Sequence, residues 1–224
     1  MKTIRSSILC LGALLFTASL LHGQDLSKYR GFSIGASLSN VLRLSERSLA
    51  DVRTIHTEPM LIQELTWWPA SIPGRSSQPD NVEQILLSFS NGELYKISVT
   101  YDRTSTEGLT APDMVKSISA KYGPATGVQS EIDPAMDALY DTKEGPLASW
   151  QNSQYAFDLV RPSFSDVFGV VIYSKQVNAE VQVATAEAVK LEEQQRPEKE
   201  ADAKKKEAGD LEATREKNQK SFRP

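Results

Sequence analysis

The stretch "ILLSFSNGELYKISVTY", from Ile85 to Tyr101, limits the fold more than any other part of this chain. Two alternating apolar runs flank Asn91-Gly92, a pair that tolerates the positive φ angles of a tight hairpin turn. The first run places Ile85, Leu87 and Phe89 on one face, and the second does the same with Tyr95, Ile97, Val99 and Tyr101. A two-residue loop would pair Leu87 with Lys96. The two apolar sets would then project from opposite faces, because side chains alternate with a period of two. A three-residue loop, Ser90-Asn91-Gly92 with Gly92 as a left-handed bulge, opposes Leu87 to Tyr95 and Ile85 to Ile97 instead. Cross-strand pairs contribute about 0.2–1 kcal/mol each, and losing a buried face costs several times more. The sequence therefore predicts the three-residue loop.

Around this hairpin the elements alternate in blocks. Phe32 to Ile34 reads as a short strand, after which Gly35 and Ser37 open a helix with Leu38, Val41, Leu42 and Leu49 on one face. "MLIQELTWWP" reads as a strand stopped by Pro69, and "ASIPGRSSQPDN" as a surface loop. "TAPDMVKSISAKYGP" carries the clearest helix. Thr110 caps it, Asp113 sits in its first turn, Gly123-Pro124 ends it, and Met114, Val115, Ile118 and Tyr122 form its apolar stripe. The segment from Gly127 to Trp150 carries no clear period. A second hairpin follows, with Tyr155, Phe157 and Leu159 on one face of its first strand and "FGVVIYS" as its second. Helix then strands, twice, with no βαβ rhythm and no glycine-rich phosphate loop, predicts an α+β fold. Its antiparallel sheet has helices packed on one face.

These units resemble a known family type. "IGASLSNVL" followed by "LSFSNGELYKISV" is similar to the small envelope modules of the SmpA/OmlA and β-lactamase-inhibitor-protein type. "TAPDMVKSISAKYGPA" resembles the same helix and its Gly-Pro exit a second time. The resemblance spans roughly residues 30–124. It implies a non-enzymatic binding or scaffolding role and assigns no functional residue.

The two ends differ from the body. Residues 1–23 read as a secretory signal: Lys2 and Arg5, then "ILCLGALLFTASLL", then small and polar residues. That apolar run is short of the roughly 20 residues of a membrane span, an uncleaved N-terminal anchor being the alternative, and nothing later approaches that length, so the mature chain is expected to carry no span. The one cysteine, Cys10, lies within the signal. Cleavage near Gly23–Gln24 leaves no thiol for a disulfide, a nucleophile or a metal, a composition that suits a bacterial periplasmic or secreted protein. The globular domain is expected over 24–175, a short amphipathic helix over 176–196 and a charged tail over 197–224, the last either a solvated helix or disordered.

In that C-terminal part Val177, Val181, Ala184, Ala188 and Leu191 follow the spacing of a coiled-coil seam for about two heptads. The seam offers either self-association through 177–191 or packing back onto the body. Pro197 is expected to interrupt it. Beyond Pro197, Glu200–Lys204, Asp202–Lys206 and Glu216–Lys220 stand four apart, each worth about 0.2–0.5 kcal/mol to an exposed helix. Residues 185–224 hold ten cations and ten acids. Setting these and the leader aside leaves 13 Lys/Arg against 19 Asp/Glu in the body, a balance that argues against nucleic acid as partner.

Catalytic signals are sparse. The mature chain has one histidine, His56, and no Gly-x-Ser-x-Gly elbow; the spacing of its serines and lysines diagnoses no Ser–Lys pair. Asp133, Asp137 and Asp141 repeat every four residues but lack the glycine-turn pattern of a calcium loop, and fit a solvated face. No catalytic residue, metal ligand or cofactor is assigned. Trp67-Trp68 is the leading binding candidate, because neighbours on a strand face opposite ways and one indole can look outward to a partner. The expected function is an exported, non-catalytic module binding an envelope protein or polymer. An envelope-polymer hydrolase with unassigned carboxylates and a purely structural tether stand as alternatives.

Overall fold

A computed structural model describes residues 25–69, 81–128, 145–161 and 167–223. The leader, the acidic repeat Asp133–Asp137–Asp141 and the loop after Pro69 lie outside these residues. The fold is α+β. A two-stranded ribbon, β1 (Lys28–Tyr29) and β2 (Phe32–Ser33), leads into helix α1 (Leu38–Ser45). Then come β3 (Val52–His56), β4 (Ile62–Trp67), β5 (Val82–Ser90) and β6 (Glu93–Tyr101). Short α2 (Arg103–Thr106) and α3 (Ala111–Tyr122) precede β7 (Gly127–Val128), β8 (Ala148–Gln151), β9 (Tyr155–Val160) and β10 (Gly169–Ser174). Helix α4 (Lys175–Ser221) ends the chain.

The strands form one antiparallel sheet in the order β3-β4-β5-β6-β10-β9-β8-β7. Each half is a helix followed by a four-stranded meander, and the last strands of the two halves, β6 and β10, meet at the centre. There Ile97 faces Ile172 and Val99 faces Val170. Gly169 sits at this junction because a Cβ would lie 2.7 Å from the Val99 carbonyl oxygen, closer than any side chain allows. The helix-then-strands repeat expected from the sequence is thus the plan of the whole sheet.

The central hairpin closes by a different route from the one expected. Its loop holds two residues, Asn91 and Gly92, both at positive φ, and Ser90 pairs with Glu93. The register then shifts between Ser88 and Phe89, so that Phe89 pairs with Leu94 and Ser88 with Lys96. Tyr95 is the extra residue, and Leu87 faces Ile97. The apolar faces match, as they must, but a bulge inside β6 rather than a longer loop reconciles them. Tyr95 consequently turns to the opposite face from Ile97.

One face carries the main core: Leu65, Trp67, Ile85, Leu87, Ile97 and Phe157 with their neighbours. Val41 and Leu42 of α1 and Met114, Ile118 and Tyr122 of α3 cover it. Ser37 caps α1, and Thr110 with Asp113 forms a reciprocal capping box on α3, which Gly123 terminates. Trp150 donates from Nε1 to the Gly123 carbonyl at 2.8 Å, tying that helix end to the sheet. Leu49 departs from expectation. Glu46 adopts the left-handed conformation and stops α1 at Ser45, so Leu49 falls in the following single turn and is 70% exposed.

Helix α4 starts on the other face. Val181 packs with Ile62 and Tyr95, and Val177 borders that cluster. The helix then runs unbroken through Pro197, where an interruption was expected. A helical proline removes one hydrogen bond and crowds one turn, and the Ala-, Glu- and Lys-rich turns on both sides carry the helix past it. Glu216 and Lys220 close to 3.9 Å. Among the described residues no helix is long and apolar enough to cross a membrane.

Candidate functional site

The tryptophan pair divides as strand geometry requires. Trp67 is 4% exposed and packs edge-on against Phe32, with ring centroids 5.3 Å apart. Among the described residues its Nε1–H has no hydrogen-bond partner. Trp68 is 42% exposed. Of the two, only Trp68 is placed to meet a partner.

Its surroundings make it part of a surface. Val52 faces Leu65 in the β3–β4 pair; Leu49 precedes Val52 by three residues and Trp68 follows Leu65 by three. Both exposed side chains therefore lie toward the same end of the pair. β3 is the outermost strand, and no strand pairs with its far side among the described residues. Its side chains at Arg53 and Thr54 are exposed, and the register shifts between Thr54 and His56. An edge of this kind presents backbone donors and acceptors to an incoming strand.

The α4 seam has a different fate. Val181, Ala184 and Ala188 are buried against the body and Val177 is partly buried, while Leu191 is exposed. Of the two uses expected for this seam, packing onto the body occupies its central residues. From Val189 to Arg223 every described side chain is exposed. His56 ends β3 under this helix, with Nδ1 3.6 Å from Glu192 Oε1. His56 thus lies against α4.

Beneath and beside α4 runs a polar row that sequence spacing did not show. Glu64, Ser88, Lys96 and Tyr173 are successive cross-strand neighbours on β4, β5, β6 and β10. The Tyr173 hydroxyl donates to Asp158 Oδ2 at 3.1 Å. Burial pulls the Lys96 ammonium below the usual lysine range, with Glu64 opposing that shift. Burial, aided by the charge of Glu64, pushes the Tyr95 phenol up to about 12. Register brings Ser88 opposite Lys96, but Ser88 is completely buried. A large substrate has no path to its hydroxyl. Glu64, Ser88 and Lys96 each sit on the polar phase of a separate strand, so only the strand pairing brings them together.

Among the described residues no three His, Cys, Asp or Glu side chains gather as a metal site would require. No protein-family model matches the chain, and no curated protein or solved structure matches it significantly.

Proposed function

We propose that this chain is an exported module of the bacterial cell envelope that binds or scaffolds another envelope component without catalysing a reaction. The observation that carries this reading is the open edge of β3 flanked by exposed Trp68 and Leu49. A partner segment would add to that edge by main-chain hydrogen bonds and cover the tryptophan, which supplies a large, rigid contact surface. Helix α4 suits a scaffold as well: from Arg196 to Ser221 it extends about 40 Å at 1.5 Å per residue, with no apolar face. The burial of Ser88 weighs against a serine–lysine hydrolase, because it closes that pair to any polymer.

Capture from an envelope extract tests the reading. The mature chain is expected to retain a discrete component, and the double variant Trp68→Ala/Leu49→Ser to lose it while keeping its circular dichroism spectrum. Equal recovery by both proteins, or recovery of nothing by the parent, overturns the proposal.

A further inference from the structure

A cleft of about 400 Å³ opens between the β1–β2 turn, the end of β6, and helices α2 and α3. It shares no residue with the β3 edge. Its apolar floor is Met114, Ile118 and Phe157, with the Tyr122 and Phe157 rings 4.5 Å apart. Three phenols line it, those of Tyr29, Tyr101 and Tyr122, and Tyr29 and Tyr101 are hydrogen-bonded to each other.

The charges of this cleft run against those of the body. Arg30 and Lys121 line it, Arg30 lying 5.8 Å from the centre of the Tyr29 ring and Lys121 5.4 Å from that of Tyr122. No Asp or Glu is among its described lining residues. The body around it carries 19 acids and 13 cations, so a cleft with two cations and no acid departs from the average surface. Ser117 and Asn81 add neutral polar groups at the rim. A concave, partly aromatic pocket of this volume with a few convergent polar groups is what a small ligand requires.

We propose that this cleft binds a small organic anion, an apolar body bearing one carboxylate or sulfonate. The apolar part rests on Met114, Ile118 and Phe157, and the anionic head takes hydrogen bonds from the Tyr122 phenol and the Lys121 ammonium. Burial pushes Tyr122 up to about 12, so its hydroxyl stays a protonated donor at physiological pH, while the Tyr101 hydroxyl is engaged with Tyr29.

The test titrates the full chain with 1-naphthoate and with the neutral analogue 1-naphthalenemethanol, following binding by nuclear magnetic resonance. Naphthoate is expected to saturate one site and the alcohol to bind at least about tenfold more weakly, as loss of a charged hydrogen bond implies. Lys121→Gln should weaken naphthoate by about five- to tenfold on the same grounds and leave the alcohol unchanged. Ser117→Trp, placed on the exposed side of α3 to fill the cleft, should abolish both. Lys116→Gln, on the same helix outside the cleft, should alter neither. Failure to saturate at millimolar naphthoate overturns the proposal, as does equal affinity for acid and alcohol. Equal weakening by Lys116→Gln and Lys121→Gln would reduce the effect to surface charge and overturn it too.

Discussion

Leu87 faces Ile97 across the central hairpin although the loop between their strands holds only Asn91 and Gly92. The bulge at Tyr95 makes this pairing and, by the same step, turns the Tyr95 ring to the face where Val181 of α4 lies. One backbone irregularity thus sets the register of the main core and supplies the seat for the C-terminal helix.

The turn can be probed from both of its residues. Gly92 holds φ +81°, so Gly92→Ala is expected to cost about 1 kcal/mol in urea unfolding. Asn91 also links the hairpin to the β3–β4 connection, since its side-chain oxygen accepts from the Leu61 amide and its own amide donates to the Leu61 carbonyl. Asn91→Gly keeps the turn and loses the side-chain bond, for a cost of about 0.5–1.5 kcal/mol.

The two tryptophans should separate cleanly in stability. Trp67→Ala is expected to cost about 3–5 kcal/mol, through lost burial and the cavity left beside Phe32. Trp68→Ala should stay within about 1 kcal/mol of the parent. Equal losses in denaturant unfolding would contradict the placement of Trp68 on the surface.

Helix α4 divides into a docked and a free part. Val181→Ala removes two buried methyl groups and should cost about 1–2 kcal/mol. Ending the chain after Gln195 should change stability by no more than about 0.5 kcal/mol, because every described side chain beyond that point is exposed. A large loss on that truncation would show that the distal helix has a partner on the body.

Two opposite pH effects are expected. Tyr95 and Tyr122 are held at about 12 and Tyr101 is raised further, each chiefly by burial, against an unfolded value of about 10. The folded chain keeps these protons longer, so the stabilisation is complete below pH 10 and is lost as pH climbs through the folded values. The slope is up to about 1.4 kcal/mol per pH unit for each tyrosine. Absorbance at the phenolate band should show these rings titrating late and together with unfolding. Lys96 has the reverse sign: its lowered value means the unfolded chain binds its proton more tightly, a cost present at neutral pH and relieved as pH rises toward the ordinary lysine range. Lys96→Met should therefore raise the urea midpoint at pH 7.

The parts of this structure that sequence reveals are those where a local pattern and the tertiary environment agree. Thr110, Asp113 and Gly123 bound α3 with their own side chains and backbone, alternation marks β5, β6 and β9, and a short continuous apolar run marks β10. β3 was not legible because Val52–His56 is an edge strand whose exposed Arg53 and Thr54 break the apolar rhythm. β7 and β8, of two and four residues, are too short to carry a period. α1 is shorter than its apolar spacing predicts because Glu46, rather than a glycine, takes the left-handed stop. The loop length failed for a similar reason: alternation reports which residues share a face, and a bulge at either end of the strand satisfies it. The polar row of Glu64, Ser88 and Lys96 exists only through strand pairing, and the split of Trp67 from Trp68 follows from alternation alone.

The surface proposed to receive a partner is that of Trp68, Leu49 and the edge of β3. It is tested most directly by placing a photo-crosslinking phenylalanine analogue at position 68 of the full chain in cells, with position 116 on α3 as comparison. One discrete adduct is expected from position 68 and none from position 116. An absence of adducts at 68, or the same set of adducts from both positions, would contradict it.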